Sequence, residues 1–487
     1  QYAWLRVLAG GRIPVVAVGD DDQSIYGWRG AKIENIQRFS DDFKAAQTVR
    51  LEQNYRSTQT ILQAANAVIA FNFGRLGKEL WTAGEAGESI TLYAGFNEQD
   101  EARFIVEQLE QWLGAGNNRA SAAILYRSNA QSRVLEEALI RAASPYRIYG
   151  GQRFYERMEI RNALAYLRLL LNRGDDAAVE RVINTPPRGI GSKTLDTVRD
   201  CARSRGVSMW QAIALVTDEK LLPARALSAL QGFVVLINEL DTGTDELLLE
   251  EVVEQVIQAS SLIDFHEKEK GERGQARVEN LEELVSAAKQ FAPEGDELSP
   301  LQQFLDSAAL DAGDAQADEH EDSVQLMTLH SAKGLEFPLV FLAGMEENLF
   351  PHRMSLEEPG RLEEERRLCY VGITRAMEKL MITYAESRRL HGSETFNTPS
   401  RFIREIPAEL LQEVRLHTAV ARPVSSITQA QVPETELCLG QRVYHQIFGE
   451  GVVLNFEGRG ASARVEVNFD AEGSKWLVLQ YANLQLI

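Results

Sequence analysis

Cysteine is scarce in this chain. The three in 487 residues, Cys201, Cys369 and Cys438, lie too far apart for a disulfide framework or a metal-ligand spacing, which points to a reducing compartment. No apolar run approaches the roughly 18 residues that cross a bilayer, and the opening Gln1-Tyr2-Ala3-Trp4 lacks a signal-peptide form. Basic residues are in the minority, 51 Lys+Arg against 71 Asp+Glu, for a formal net charge of −20. That balance governs solubility and long-range field; it does not exclude a local basic site. A hydrophobic share of 44% with 25% charged residues excludes wholesale disorder and fibrous architectures. At about 150 residues per domain the length predicts roughly three domains. The expectation is a soluble, cytoplasmic, multidomain protein.

Charge is unevenly spread. Residues 311–322 (DAGDAQADEHED) carry six carboxylates and no Lys or Arg, and residues 245–254 (DELLLEEVVE) are similarly one-signed, as solvated loops or helix faces are. Arg361, Arg366, Arg367, Arg375, Lys379, Arg388 and Arg389, by contrast, fall within one short stretch.

Hydrophobic patterning divides the chain. Residues 13–19 (IPVVAVG) read as a buried strand and 47–52 (QTVRLE) as another, followed by a helix over 57–72 with Ile61, Leu62, Ala65, Val68 and Ile69 on one face. Strands at 89–94 and 121–126 alternate with helices at 98–114 and 131–143, which predicts parallel α/β layers. From about 150 to 320 strand signals vanish and helical periodicities dominate (157–173, 193–204, 224–240, 246–258, 276–292). Strands return at 324–329, 338–344 and 379–384, with a helix through 361–376, so an α/β domain is interrupted by a helical one and completed after it. Residues 418–436 are rich in Pro, Ser and Gln and read as a linker. The last fifty or so residues alternate polar and apolar positions between Gly turns, as a small antiparallel β-barrel does, with Trp476 and Phe448 read as core rather than recognition residues.

Four polar islands sit at predicted strand ends, where α/β sheets bind ligands. In the first, GDDDQSIYGWRG (19–30), Gln23 can orient a water or sense a terminal phosphate, and Trp28 can stack on a nucleobase; a turn whose Trp packs on a neighbouring helix is the alternative. In the second, QNYRS (53–57), Arg56 beside Tyr55 suits phosphate plus base contact, against a capping turn with Ser57 as N-cap and Arg56 in a surface pair. The third, LHSAKGLEF (329–337), can hold phosphates through backbone N–H groups, with Glu336 accepting from a ribose hydroxyl; a bland capping loop fits equally. The fourth, EEERRLCYVGITRA (363–376), is a helix ending near Arg375, whose Glu/Arg neighbours are otherwise ordinary surface pairs.

In order and spacing these islands resemble motifs III, IV, V and VI of the UvrD/Rep/PcrA family of superfamily 1 DNA helicases, and the resemblance covers nearly the whole chain. It implies an ATP-dependent 3′→5′ DNA helicase and translocase of DNA repair, cytoplasmic and nucleoid-associated. The implied fold is α/β: RecA-like parallel-sheet domains with an all-helical insertion and a small Tudor/SH3-like β-barrel. Its implied divisions are 1–51, the remainder of a first RecA-like domain; 52–149 with 321–417, a second; 150–320, a helical accessory domain; 418–436, a linker; and 437–487, the barrel. Gln23, Arg56 and Arg375 take the catalytic roles at the γ-phosphate, with Tyr55 on adenine and Glu336 on ribose. Trp28, Arg127, Thr328 and His330 face DNA, and Gly189-Ile190-Gly191 lays backbone amides on duplex phosphate. His391, in the loop Arg388–Gly392, takes the place of the strand-separating pin, where relatives often present Tyr. Implied partners are single-stranded DNA and its junctions with duplex, RNA polymerase through the barrel, and mismatch or excision repair proteins.

There is no G-x-x-x-x-G-K-[ST] string; Gly74-Arg75-Leu76-Gly77-Lys78 has the wrong spacing, and no DEFQD-like element is present to hold Mg²⁺. In the family both lie upstream of the point where this chain begins. The expectation is the carboxyl-terminal two thirds of a helicase, inactive alone, with the Mg²⁺ ligands of the ATP site elsewhere and no metal residues assigned here. The competing expectation is a non-catalytic DNA- or RNA-polymerase-binding module. Helicase–nuclease relatives are set aside, because only a linker and a small barrel follow motif VI.

Overall fold

A computed structural model describes residues 2–9, 13, 15–43, 47–242, 244, 247–269, 271–293, 295, 298–313, 321–390, 393–414, 441–446, 448–457, 464–469, 473–478, 482 and 484–486. The chain divides into two compact units, Gln1–Arg415 and Leu416–Ile487.

The first unit is organised by seven parallel strands: β1 (Ile90–Gly95), β2 (Ala122–Tyr126), β3 (Tyr146–Ile148), β4 (Val324–Thr328), β5 (Phe337–Leu342) and β6 (Ala376–Ala385), with β9 (Leu411–Glu413) closing one edge. Their order is β3-β4-β2-β5-β6-β1-β9. A two-stranded antiparallel hairpin, β7 (Arg388–Leu390) with β8 (Ser393–Thr395), follows β6 directly. Side chains along a strand alternate between the two faces, and here both faces are buried. Ala123 and Leu125 enter one apolar core while Ala122, Ile124 and Tyr126 enter the other.

After α1 (Tyr2–Ala9), the helices in order are α2 (Gln59–Ala70), α3 (Glu98–Gly114), α4 (Ser132–Arg141), α5 (Met158–Leu171), α6 (Asp176–Val182), α7 (Ser192–Arg205), α8 (Met209–Asp218), α9 (Ala224–Asp241), α10 (Leu249–Ala259), α11 (Leu262–Glu267), α12 (Glu272–Gln290), α13 (Pro300–Gly313) and α14 (Arg361–Ile373). Buried residues of α2 and α14 pack one sheet face, and those of α3 and α4 pack the other. The run α5–α13 lies between β3 and β4 in the chain and has its own core. Its centre is α5, which buries Ile160, Ala163, Leu164, Ala165, Tyr166, Leu167 and Leu169, apolar over most of its circumference as a central helix must be.

Two expectations fail at the amino-terminal end. Residues 15–20 and 47–52 form no strand, and Val16 and Val18 are each 91% exposed, with Val49 and Leu51 at 73% and 80%. A β-branched run becomes a strand only when a neighbour accepts its ladder bonds, and among the described residues the sole such pairing is the isolated bridge of Gln53 with Trp81 at the end of the second run. The polar loop 20–30 is better held: Ile25 is fully buried in the core formed with α2 and α14. Beyond it lie two short helical pieces, Glu34–Gln37 and Phe39–Asp42.

The second unit is a five-stranded antiparallel sheet, β10 (Arg442–His445), β11 (Gly449–Glu457), β12 (Arg464–Phe469), β13 (Gly473–Val478) and β14 (Gln485–Leu486), in the order β13-β12-β11-β10-β14. Val443, Val453, Val465, Val467 and Phe469 form its core. Phe448 packs against that core, but Trp476 is 43% exposed on β13, a correction to its assignment as core. The linker at 418–436 lies outside the described residues.

Candidate nucleotide and DNA site

Arg375 follows α14 and is buried at 2% exposure. Its donors reach the carbonyls of Val371 (Nε, 3.0 Å) and Leu335 (Nη1, 2.9 Å) and the Thr374 hydroxyl (Nη2, 3.1 Å), and among the described residues it forms no ion pair. Burial, and then the Arg56 charge, pull its pKa down to about 10. The helix comes close to the sheet because Gly372 has no side chain: a Cβ there meets Leu329 Cδ2 at 2.5 Å. Arg56 Nε donates to Glu336 Oε2 (2.5 Å), and its Nη1 reaches the Thr374 carbonyl (3.4 Å). The Asn54 carboxamide shapes this turn by accepting from the N–H groups of Arg56 (2.8 Å) and Ser57 (2.9 Å). Ser57 is not the N-cap of α2, which is Thr58; its hydroxyl instead donates to the Ala376 carbonyl (2.6 Å), stitching this loop to the start of β6. Tyr55 is 85% exposed and donates to Gln53. Arg56, Glu336 and Arg375 are thus brought together from three separate loops.

The loop bearing Gln23 is clamped onto the same unit. Lys333 Nζ donates to the Gln23 carbonyl (2.6 Å) and lies 5.3 Å from the centre of the Tyr26 ring. The Tyr26 hydroxyl donates to the His330 carbonyl (3.3 Å), and the Gly27 N–H donates to Glu364 Oε1 of α14 (2.7 Å). The Gln23 carboxamide donates to Asp20 (2.7 Å). Trp28 lies in the turn Gly27–Arg29, and its side chain is outside the described residues. The carboxylates of Asp20, Asp21 and Asp22 lie within 4.8 Å of one another but are committed: Asp22 to Arg75 (2.9 and 2.7 Å), Asp21 to the Leu76 N–H (2.7 Å), Asp20 to Lys78 and Gln23. So engaged, they do not fit a Mg²⁺ ion, which asks for carboxylate oxygens free to coordinate it.

Thr328 ends β4, with its hydroxyl 3.1 Å from that of Ser331. Burial, then the charge of Arg127, pull His330 down to about 3, so its ring is neutral at physiological pH. Arg127 forms a fork with Glu365 of α14 (2.7–3.1 Å). The next residue, Arg366, is held by Glu405 (2.9 and 2.8 Å) and Asn72 (2.7 Å), so the middle of α14 is fixed on two sides. Gly189, Ile190 and Gly191 belong to the helical region instead. Gly189 has φ +81°, Ile190 is buried with its N–H donated to the Asn184 carboxamide (3.1 Å), and Gly191 is the N-cap of α7; nothing lies within 4 Å of a Cβ at either glycine, so the turn presents bare backbone at its two glycines. His391, between β7 and β8 in the chain, lies outside the described residues. Sequence reasoning passed over Lys333 and Glu364. Both sit inside the islands, but only the folded loops show that they grip the Gln23 loop.

Two guanidinium groups thus converge at the loops of a parallel sheet, and a helical region is spliced between two of its strands. The family model described as the UvrD-like helicase C-terminal domain matches residues 49–387, the UvrD/REP helicase N-terminal domain matches 1–44, and the PcrA/UvrD tudor domain matches 439–485. The chain is 59% identical to DNA helicase II of Escherichia coli and of Salmonella typhimurium, aligning over 100% of its own length and 68% of theirs. It is 41% identical to the ATP-dependent DNA helicase PcrA of Staphylococcus epidermidis, over 99% of this chain and 68% of that one. The chain belongs to the UvrD-like DNA helicase family.

Proposed function

We propose that this chain supplies the second half of the ATP site and the DNA-gripping surfaces of a 3′→5′ DNA translocase and helicase of DNA repair. The observation that supports it most directly is Arg375, a buried arginine without an ion-pair partner among the described residues, beside Arg56. Burial and the neighbouring Arg56, itself paired with Glu336, oppose the charge of Arg375, and a further anion relieves that opposition; the charge that builds on a transferring phosphoryl group is such an anion. Gln23 links this cluster to Trp28, the proposed stacking platform for single-stranded bases; Tyr55 stacks on adenine, and Glu336 exchanges Arg56 for the ribose. Thr328, His330 and Arg127 border the strand, the bare turn Gly189–Gly191 meets duplex phosphate without reading sequence, and His391 parts the strands. On this reading residues 1–51 belong to a first RecA-like domain, 52–149 with 321–417 to a second and 150–320 to a helical accessory domain. The carboxyl-terminal sheet docks on a protein partner such as RNA polymerase or a repair protein, in the nucleoid. ATP is the fuel, and Asp20–Asp22 are given no part in holding its Mg²⁺. In a non-catalytic binding module the same arginine would serve only as a structural anchor on the carbonyls of Val371 and Leu335.

In the full-length gene product, Arg375→Ala abolishes DNA-stimulated ATP hydrolysis while single-stranded DNA affinity is kept. Hydrolysis at the wild-type rate refutes the assignment.

A further inference from the structure

The base of the β7–β8 hairpin is mounted in a buried set of charges. Arg388 donates to Glu346 (2.6–3.1 Å) and to Glu101. These two carboxylates tie it to the sheet: Glu346 accepts from the Ala385 N–H (2.9 Å), and Glu101 accepts from the Gly344 N–H (2.8 Å) and the Thr383 hydroxyl (2.6 Å). Glu98, one turn earlier on α3 and 6% exposed, does something different. One of its oxygens accepts from the backbone N–H of Arg389 in the hairpin (3.3 Å). The other accepts from the carboxamide of Gln290, the last residue of α12 in the helical region (2.8 Å). Gln290 is itself held by Arg133 (2.8 Å), which also pairs with Glu283 on α12 (2.7 Å). Hairpin and helical region are far apart in sequence, yet they meet through one buried carboxylate.

We propose that Glu98 is a positioning residue for strand separation: with Gln290 it couples the helical region to the base of the hairpin, so that a load on the helical region sets the angle at which the hairpin meets the duplex. The inference rests on the reading of β7–β8 as the strand-separating element. Translocation along single-stranded DNA makes no use of that angle. A broken link therefore uncouples unwinding from ATP consumption, whereas a merely structural defect lowers both together.

The test uses the full-length gene product carrying Glu98→Ala, and separately Gln290→Met at the partly exposed end of α12, which cuts the tie while Glu98 keeps the Arg389 N–H and Arg133 keeps Glu283 and Glu137. Unwinding of a 3′-tailed duplex, ATP hydrolysis with single-stranded DNA alone and thermal unfolding are measured on each. Losing a charge-assisted hydrogen bond predicts unwinding lowered about tenfold in Glu98→Ala and less in Gln290→Met, with single-strand-stimulated hydrolysis within about twofold of wild type. Unchanged unwinding in both variants, or unwinding and hydrolysis falling in parallel with thermal stability, overturns the proposal. His391→Ala separates the two layers. If it leaves unwinding intact, the hairpin reading fails and the coupling with it; if it lowers unwinding while Glu98→Ala and Gln290→Met do not, the coupling alone fails.

Discussion

Replacing Arg375 by methionine is expected to cost the protein its chemistry and little or none of its stability. Removing one member of a buried ion pair ordinarily destabilises by about 3–5 kcal/mol, because a partner charge is stranded. Arg375 strands none, since its acceptors are the carbonyls of Val371 and Leu335 and the hydroxyl of Thr374. Its pKa is pulled down to about 10, which at 1.36 kcal/mol per pKa unit means about 3 kcal/mol held against the charged side chain. Methionine relieves that cost and fills much of the same volume. Against it stand the lost hydrogen bonds to neutral acceptors, about 1 kcal/mol each, with Val371 and Thr374 still bonded to one another. The balance lies between zero and about 2 kcal/mol of added stability. Urea unfolding of wild type and Arg375→Met, compared at constant m-value, measures it. A loss of more than about 1 kcal/mol refutes the reasoning, because it means that the guanidinium is a structural anchor and not a charge held ready for an anion.

Two further outcomes follow from the loops around it. A methyl group on Gly27 would lie 2.5 Å from the Glu364 carboxylate, so Gly27→Ala displaces that side chain and breaks its bond to the Gly27 N–H. We expect a stability loss of only about 1 kcal/mol but a clear fall in the stimulation of ATP hydrolysis by DNA, reproduced by Glu364→Ala; undiminished stimulation in both variants removes Glu364 from the coupling. His330 should stay neutral through the physiological range and titrate near its depressed value of about 3, read from its ring resonances by NMR. Because the unfolded chain takes up this proton near the ordinary 6.5 and the folded one does not, the contribution of His330 to stability falls as pH drops below about 6.5. A midpoint near 6.5 in the folded protein refutes the burial argument.

The α/β layers and the helical insertion were legible because both rest on local periodicity: β2 and β5 are unbroken apolar runs, and α3 was read to the residue. The runs at 13–19 and 47–52 misled for the same reason, since strand propensity does not report whether a neighbour is present. Short elements were missed: β3 and β9 are three residues each, too few to show a period, and α8 lies where the reading jumped from one long helix to the next. Within the site, Arg56 and Glu336 stood out as charged residues in polar loops after strands, and Arg375 as one near a helix end. Their meeting is tertiary, through Asn54 shaping one turn and Gly372 letting α14 settle on the sheet. Lys333 and Glu364 bond backbone groups of another loop, and such contacts leave no trace in either local sequence.

The double anchoring of α14 limits how the two ends of this helix can communicate. Glu364 grips the loop of Gln23 and Trp28 near one end, Arg375 follows the other, and between them Arg127 and the pair Glu405–Asn72 hold successive residues from two sides. A helix pinned at its midpoint cannot slide along its axis as a piston does. It can act as a beam on a fulcrum, where a small tilt lifts one end as the other dips. On the proposed reading, in which a base stacks on Trp28, such a tilt would carry the signal from that loop to Arg375 with no large travel within the domain, because a site that works by electrostatics at short range responds to small displacements.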